Sequence, residues 1–180
     1  MARREDKTTD DNIILTGFMG TGKSSVGRLL AEHLGYEFVD TDEWIAARCG
    51  KAIHDIFRDQ GEAAFREMEA ALARELGGLK KKVIATGGRL MLDAANAAAL
   101  SRRGRVFTLW ATPEEIIVRV ANDTAAVRPL LEGPSLETRI RALFEERRAG
   151  YARFTPIETS GKTIAEVVQL VLNRLEDRAA

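Results

Sequence analysis

Short apolar runs alternate with longer amphipathic stretches along this chain. A short continuous apolar run between turn residues is typical of a strand buried on both faces of a sheet. The stretches between the runs place apolar residues at helical spacing, which is typical of helices with one buried face. The pattern predicts strands over 12–16, 36–40, 83–86, 105–110 and 155–159, and helices from Lys23 to a stop at Gly35 and over 42–48, 62–76, 93–103, 113–122, 135–148 and 163–176.

The alternation of strands and helices predicts an α/β protein whose parallel sheet is covered by helices on both faces. The chain has 180 residues, which suits one domain, and we expect that domain to span 12–176. Residues 1–11 are polar and are predicted to form a disordered tail, and 177–180 a second tail. The stretch 122–135 has weak periodicity and two prolines, so we expect a mobile surface loop there.

The charge balance excludes a general attraction to polyanions. Lys+Arg and Asp+Glu both number 27, so neither nucleic acid nor an anionic membrane is an expected partner. The only cysteine, Cys49, excludes an internal disulfide and metal motifs that need two cysteines. The charged first residues lack the apolar stretch of a signal peptide, and no apolar run approaches the roughly 18 residues of a membrane span. We therefore expect a cytosolic protein.

The segment "GFMGTGKS" matches the pattern G-x-x-x-x-G-K-[ST] between a predicted strand and a predicted helix. Glycines let backbone N–H groups turn inward around an anion, and the helix that follows adds the positive end of its dipole. In such a loop the lysine meets the β/γ-phosphates and the hydroxyl ligates Mg²⁺. An ordinary glycine-rich turn is the alternative, but it does not require this eight-residue pattern. The predicted nucleotide contacts are Gly20, Thr21, Gly22, Lys23, Ser24 and Ser25.

The second predicted strand ends in two carboxylates, Asp40 and Asp42. Side chains at the carboxyl end of a parallel strand line the crevice where ligands bind. One carboxylate could hold Mg²⁺ through water while the other takes the proton of a substrate hydroxyl. The alternative is that Asp42 merely caps the helix that starts near Glu43.

The third notable region contains an arginine flanked by aromatic and acidic residues. Arg66 is a natural bidentate partner for a carboxylate, although it could also be a solvated helix arginine beside Glu62 and Glu69. Further along, Gly87 and Gly88 follow the third predicted strand, where backbone N–H groups could contact a ligand.

The order of these motifs resembles the shikimate kinase family from about Asn12 to Leu175. The matching segments are "GFMGTGKSSVG", "FVDTDEWI", "FRDQGEAAFREME", "ATGGRLM", "VRPLLEG" and "EERRAGY". The resemblance implies a three-layer P-loop fold with a five-stranded parallel sheet in the order 2-3-1-4-5, a substrate-binding region near 41–70 and a lid over 122–135. It also implies a monomer that uses ATP and Mg²⁺ to phosphorylate the 3-hydroxyl of shikimate.

The resemblance also implies roles for single residues. On the substrate side, Asp42 takes the hydroxyl proton, Arg66 and Arg147 grip the shikimate carboxylate, and the glycine turn contacts the substrate through its backbone. Aromatic side chains pack against the ring. These substrate positions are Asp42, Phe57, Phe65, Arg66, Gly87, Gly88 and Arg147.

On the nucleotide side the resemblance places Asp40 near Mg²⁺ together with Ser24. Arg128 matches the lid arginine that closes on the phosphates and acts with Lys23 in transfer. Arg119 matches the residue that lies against adenine, and Lys162 falls near the adenine loop.

Two departures from the family pattern fall on the substrate side. Arg89 replaces the third glycine of the turn, and Ala149-Gly150 replaces a Pro-Leu pair. Arg89 could point to solvent, or it could point inward and either supply a third cation or obstruct shikimate. Two alternatives therefore stay open: a related kinase of another hydroxylated acid such as gluconate, and a nucleotide-binding regulatory module without transfer activity.

Overall fold

Five parallel strands form a single sheet in the computed structural model, which describes residues 10–122 and 135–177. The strand order is β2-β3-β1-β4-β5, so the predicted fold class and strand order are confirmed. All the pairings are parallel, with β1 at the centre between β3 and β4. The strands are β1 (Asn12–Thr16), β2 (Glu37–Asp40), β3 (Lys82–Ala85), β4 (Gly104–Trp110) and β5 (Thr155–Glu158).

Helices connect the strands and cover the sheet. Most differ from the predicted ranges by only a few residues at each end. In the described part of the chain they are α1 (Lys23–Leu34), α2 (Thr41–Cys49), α3 (Ile53–Leu76), α4 (Ala94–Ser101), α5 (Pro113–Asn122), α6 (Leu136–Tyr151) and α7 (Ile164–Glu176), with a short 3₁₀ helix over Leu90–Leu92.

The alternation of side chains along β1 places apolar residues on both faces of the sheet. Ile14 belongs to an apolar cluster that includes residues of α2, α3 and α4, whereas Ile13 and Leu15 belong to a cluster with residues of α1 and α7. All five residues of β1 are buried. The sheet is therefore the middle layer of three, as the strand–helix alternation predicts.

The helix predicted over 62–76 is only the second half of α3, and that prediction was wrong about where the helix begins. The observed helix starts at Ile53, and Gly61 interrupts it with φ 81° and ψ 170°. Nothing lies within 4 Å of a Cβ at this glycine, so the interruption reflects backbone conformation rather than crowding. Two helical segments thus meet at Gly61, and the second carries the arginine of the predicted acid site.

A third apolar cluster places α5 and α6 beside the loop that follows β1. Phe18 of that loop lies in the cluster with residues of both helices, among them Ile116 and Ile140. Phe144 packs edge-on against Phe18 with ring centroids 5.7 Å apart. This packing positions two helices that carry predicted site arginines next to the glycine loop.

Most of the predicted loop over 122–135 and most of the N-terminal tail lie outside the described residues. The chain is already attached to the fold at Asp10, whose carbonyl accepts a hydrogen bond from the Lys81 amide at 3.1 Å. Within 10–122 and 135–177, none of the helices combines the length and apolar character that a membrane crossing requires.

Candidate active site

The loop after β1 has the shape of an anion cradle. Gly17 adopts φ 134°, and a Cβ there would stand 2.4 Å from the Leu109 carbonyl oxygen, so only glycine fits. Gly22 adopts φ 91° at the start of α1, where no side chain caps the helix. Lys23 Nζ donates hydrogen bonds to the carbonyls of Gly17 at 3.0 Å and Phe18 at 2.8 Å. The lysine therefore lies over the loop, beside the N-terminus of a helix that favours anions.

Ser24 and Asp40 are joined across the carboxyl edge of the sheet. Ser24 Oγ donates to Asp40 Oδ2 at 2.6 Å, while Asp40 Oδ1 accepts from the amides of Asp42 at 3.0 Å and Glu43 at 3.3 Å. Asp40 is therefore the N-cap of α2, and the alternative that gave this role to Asp42 was wrong. The Asp42 side chain is consequently not needed for capping.

The Ser24–Asp40 pair fits Mg²⁺. Both side chains offer hard oxygen ligands, and Mg²⁺ usually takes one or two protein ligands together with water and phosphate oxygens. In the described part of the chain no cluster of three or more His, Cys, Asp or Glu residues could hold a metal by itself. A metal bound here would therefore depend on the phosphates of a nucleotide for part of its coordination.

Asp42 lies between the two halves of the site. Its Oδ1 is buried without a hydrogen-bond partner in the described residues. Burial, and secondarily the charge of Asp40, raises the pKa of Asp42 to about 6, while Lys23 and Arg66 oppose the rise. The Asp42 carboxylate thus interacts electrostatically both with Lys23 of the phosphate loop and with Arg66 of the predicted acid site. A carboxylate with this pKa suits proton acceptance near neutral pH.

The turn after β3 brings Gly87 and Gly88 to this carboxylate and to α6. The Gly87 amide donates to Thr41 Oγ1 at 2.8 Å, which fastens the turn to the start of α2. The Gly88 carbonyl accepts a hydrogen bond from the Tyr151 hydroxyl. A Cβ at Gly88 would lie 3.8 Å from both Arg147 Nη1 and Tyr151 Oη, which is ordinary contact. The backbone of this turn is therefore held beside the predicted acid site.

Arg66 is held by two carboxylates of its own helix. Nη1 contacts Glu69 Oε2 at 2.6 Å, and Nη2 and Nε contact Glu62 Oε1 at 2.9 and 3.2 Å. Glu69 is 2% exposed; burial raises its pKa and the Arg66 charge opposes the rise. The guanidinium also lies over Phe57 and Phe65, whose ring centroids are 4.7 Å apart. The predicted aromatic and cationic residues are thus assembled, and Arg66 pairs with Glu62 and Glu69, as the alternative of a helix arginine expected, while its side chain is only partly exposed.

Arg147 is a buried cation on α6. It is 4% exposed, and its Nε has no hydrogen-bond partner among the described residues. Residues 10–122 and 135–177 provide no carboxylate within ion-pair distance of it, although it hydrogen-bonds Tyr151. A buried charge normally has a counter-charge. Its environment would therefore suit a bound anion.

The structure places both departures from the family pattern near the acid side of the site. Arg89 adopts φ −112°, a conformation open to any residue, and its half-exposed side chain reaches Glu62 Oε1 at 3.1 Å. It thus lies at the rim, paired with Glu62. Gly150 packs close to Leu92: a Cβ there would stand 2.5 Å from Leu92 Cδ2, the end of a side chain that can shift.

A cleft of about 210 Å³ lies on the other side of the phosphate loop. Arg119 donates to the Gly20 carbonyl at 3.3 Å and to the Thr159 carbonyl at 3.5 Å, so it joins α5, the loop and the end of β5. The predicted nucleotide residues that line this cleft are Gly20, Thr21, Gly22, Ser25, Arg119 and Lys162. Arg128, the predicted lid arginine, lies outside the described residues.

A larger cavity of about 390 Å³ opens at the opposite edge of the sheet, where β4 and β5 begin. Its Arg105 donates to the Leu175 carbonyl at 2.6 Å and to the Arg174 carbonyl, which caps the end of α7. None of the predicted site residues lines it. The predicted site residues therefore lie away from this cavity, toward the carboxyl edge, where such folds bind ligands.

Four residues whose side chains hold the site in place were not among the site residues predicted from the sequence. Glu69 and Glu62 hold Arg66, the Tyr151 hydroxyl holds the glycine turn, and Glu115 Oε1 accepts the Gly161 amide at 3.0 Å. The i,i+3 and i,i+4 spacings to Arg66 and Arg119 were available signals for the three glutamates.

Comparisons with known proteins agree with this arrangement. A family model described as "Shikimate kinase" matches residues 19–176. The shikimate kinase of Symbiobacterium thermophilum is 41% identical over 169 residues, covering 93% of this chain and 97% of that relative. A structure of shikimate kinase from Acinetobacter baumannii in complex with shikimate has a TM-score of 0.87 and 37% identity, covering 94% of this chain and 95% of that one.

A gluconokinase structure from Sinorhizobium meliloti is also similar, with a TM-score of 0.60 and 21% identity over 94% of each chain. At that identity the likeness shows the fold alone. The family model and the relatives above 35% identity cover nearly the whole chain. This protein belongs to the shikimate kinase family.

Proposed function

We propose that this protein transfers the γ-phosphoryl group of ATP to the 3-hydroxyl of shikimate. The observation that carries the proposal is the position of Asp42. Its Oδ1 is buried beside Gly87, and its pKa responds both to Lys23 of the phosphate loop and to Arg66 of the acid site. A proton acceptor between a phosphate cradle and an anion-binding cluster suits transfer to a hydroxyl of an acid.

The acid end of the site would read a carboxylate. Arg147 is a buried cation without a carboxylate partner among the described residues, and Arg66 presents a guanidinium over two phenylalanine rings that pack against each other at a tilt. A planar guanidinium can bind a carboxylate through two parallel hydrogen bonds. Two arginines from different elements would hold the carboxylate of a rigid ring in one orientation, which is what in-line transfer requires.

The phosphate end would hold the nucleotide. Lys23 would exchange its two loop carbonyls for β- and γ-phosphate oxygens, and the N-terminus of α1 would add backbone donors. Ser24 and Asp40 would hold Mg²⁺, which when bound neutralises charge on the phosphates. Arg119 and Lys162 would border the nucleoside in the adjoining cleft, and the lid role of Arg128 stays a prediction.

The transfer step needs no reactant other than ATP and the acid. The substrate oxygen forms a bond to the γ-phosphorus as the bond between that phosphorus and the β–γ bridging oxygen breaks. Asp42 accepts the hydroxyl proton, and ADP leaves with the electron pair of the broken bond. Lys23 offsets the charge that develops on the transferring group.

The proposal is tested by ADP release from purified protein with shikimate, gluconate and the methyl ester of shikimate as acceptors. We expect turnover with shikimate and a much weaker response to gluconate. The ester keeps the ring and hydroxyls but lacks the charge, so we expect its KM to be higher by roughly 30-fold or more, from loss of a charge pair worth about 2–5 kcal/mol.

Arg147→Ala provides the matched variant for that assay. It should raise the KM for shikimate strongly and change the KM for the ester little, because the ester has no carboxylate to lose. Preferred turnover of gluconate would favour the other acid kinase, and ADP release independent of any acid would favour a nucleotide-binding module. Monomeric state and a cytosolic location also stay predictions.

A further inference from the structure

Glu62 is shared by two arginines at the rim of the acid site. A single oxygen, Oε1, accepts from Arg66 Nη2 at 2.9 Å and Nε at 3.2 Å and also from Arg89 Nη1 at 3.1 Å. The charges of both arginines lower the pKa of Glu62, and Arg147 lowers it further. One half-exposed carboxylate therefore sits among all three guanidinium groups of this region.

This position makes Glu62 a competitor of the acid. Its oxygen occupies the Nε–Nη2 edge of Arg66, which is one of the edges that a carboxylate can grip with two hydrogen bonds. Glu69 already takes Nη1 from the other side. An incoming acid would bring a third negative charge to the same guanidinium, and like charges at this distance repel. Binding is therefore easier if Glu62 has another partner.

Arg89 is such a partner. It lies on the turn after β3 rather than on α3, and its backbone is unstrained at φ −112°. Its guanidinium already contacts Glu62 and is 43% exposed, so a shift of Glu62 toward it displaces little else. Gly61, immediately before Glu62, has open space around its Cα and a conformation outside the helix, which leaves the start of this segment free to adjust.

We propose that Arg89 is a positioning residue that draws Glu62 away from Arg66 when the acid binds. The inference rests on the proposed function, since it takes Arg66 as a carboxylate ligand. Arg89 then acts on acid affinity through Glu62 rather than by contacting the acid, and the chemical step is unaffected. Arg89, which stands where the family pattern has glycine, would thus weaken the competition between Glu62 and the acid for Arg66.

The test is a double-mutant cycle on the KM for shikimate with saturating ATP. Arg89→Ala should raise the KM about three- to fivefold, near the upper range for an exposed ion pair, and leave kcat within about twofold. Glu62→Gln should lower the KM, because the competing charge is gone. In the double variant Arg89→Ala should have no further effect, because Glu62 is the group through which it acts.

Control variants, a second acceptor and unfolding measurements complete the cycle. Arg89→Lys keeps a cation and should restore most of the affinity lost in Arg89→Ala. Arg58→Ala removes an exposed arginine of α3 that pairs with Asp55 and should leave the KM unchanged. With the methyl ester as acceptor, Arg89→Ala should have no effect on KM. Thermal unfolding of each variant checks that the fold is kept.

Two results would overturn the inference. An equal rise of KM from Arg89→Ala with and without Glu62→Gln would mean that Arg89 contacts the acid directly. An unchanged or lower KM in Arg89→Ala would mean that Arg89 does not assist binding. Failure of the proposed function looks different, because the wild-type protein would then show no shikimate-dependent ADP release at all.

Discussion

The carboxylate of Asp42 lies against Gly87. A Cβ added at Gly87 would stand 2.5 Å from Asp42 Oδ1 and 3.2 Å from Glu69 Oε1. The absence of a side chain at Gly87 lets the Asp42 carboxylate and Glu69, the buried partner of Arg66, approach the same turn. The Asp42 Oδ1 atom therefore occupies the space that a side chain at position 87 would fill, and it has no hydrogen-bond partner among the described residues.

Gly87→Ala should reduce kcat by about 100-fold, because a displacement of about 1 Å at a reacting group can cost that much. The Asp42 side chain can turn aside, so we expect the fold to survive and ATP affinity to change little. Steady-state kinetics and ATP titration measure the two effects. Gly88→Ala is the control for stability, since its Cβ would meet Arg147 and Tyr151 only at 3.8 Å. Normal kcat in Gly87→Ala would contradict the assigned position of the base.

Asp42→Asn should stabilise the protein while abolishing most transfer. Burial raises the pKa of Asp42 from 3.8 to about 6. Folding therefore favours the protonated carboxyl group: below pH ~4 the group is protonated in both states and costs no stability, and the free energy of unfolding falls as the pH rises through about 6. Above that pH the ionised carboxylate costs about 1–3 kcal/mol, which the neutral amide avoids.

The measurement is thermal or urea unfolding of Asp42→Asn and wild type from pH 3.5 to 8. The variant should be the more stable at pH 7–8, and the difference should vanish near pH 4. Asp177→Asn, at an exposed position, should show no such difference. A variant less stable than wild type at pH 8 would mean that the Asp42 charge is stabilising.

The pH dependence of transfer should report the same carboxyl group. Protonated Asp42 cannot accept the hydroxyl proton, so kcat/KM with both substrates subsaturating should fall about tenfold per pH unit below pH ~6. The residual activity of Asp42→Asn should lack this acidic limb. A flat profile down to pH 4.5 in the wild type would remove Asp42 from the role of base.

Lys23→Ala should lower kcat by about 10²–10³, the effect of losing one preorganised group at developing charge, on the order of 3–4 kcal/mol. The lysine otherwise contacts two loop carbonyls, and we expect the fold to tolerate its removal. Lys51→Ala, which removes an exposed lysine paired with Asp59, is the matched control and should be neutral. Near-normal turnover of Lys23→Ala would contradict the phosphate-loop assignment.

The strands and the phosphate loop could be predicted because their signals are local. Continuous apolar runs gave all five strands to within a residue or so at each end, and the glycine spacing located the turn before α1. The first half of α3 was missed because residues 53–60 are largely polar and Gly61 reads as a stop, although Ile56 is fully buried.

The contacts that give the site its chemistry depend on tertiary structure, and local sequence patterns alone did not reveal them, although the family resemblance placed Ser24 and Asp40 together near Mg²⁺. The pairing of Ser24 with Asp40 joins residues 16 apart, and that of Arg89 with Glu62 joins residues 27 apart. From the sequence, Asp42 was considered as the helix cap, and only the observed hydrogen bonds show that Asp40, two residues earlier, takes this role. Burial of Arg147 without a carboxylate likewise emerges only when α6 packs beside the glycine turn.

The central claim is that Asp42 activates one hydroxyl of a carboxylate-bearing ring for transfer from ATP. Nuclear magnetic resonance of the products formed from ATP, Mg²⁺ and shikimate by the purified protein tests it most directly. The account predicts one phosphorylated product, shikimate 3-phosphate, formed in equal amount to ADP and nearly absent with Asp42→Asn. Release of ADP with inorganic phosphate alone, or a phosphoryl group on another hydroxyl, would contradict it.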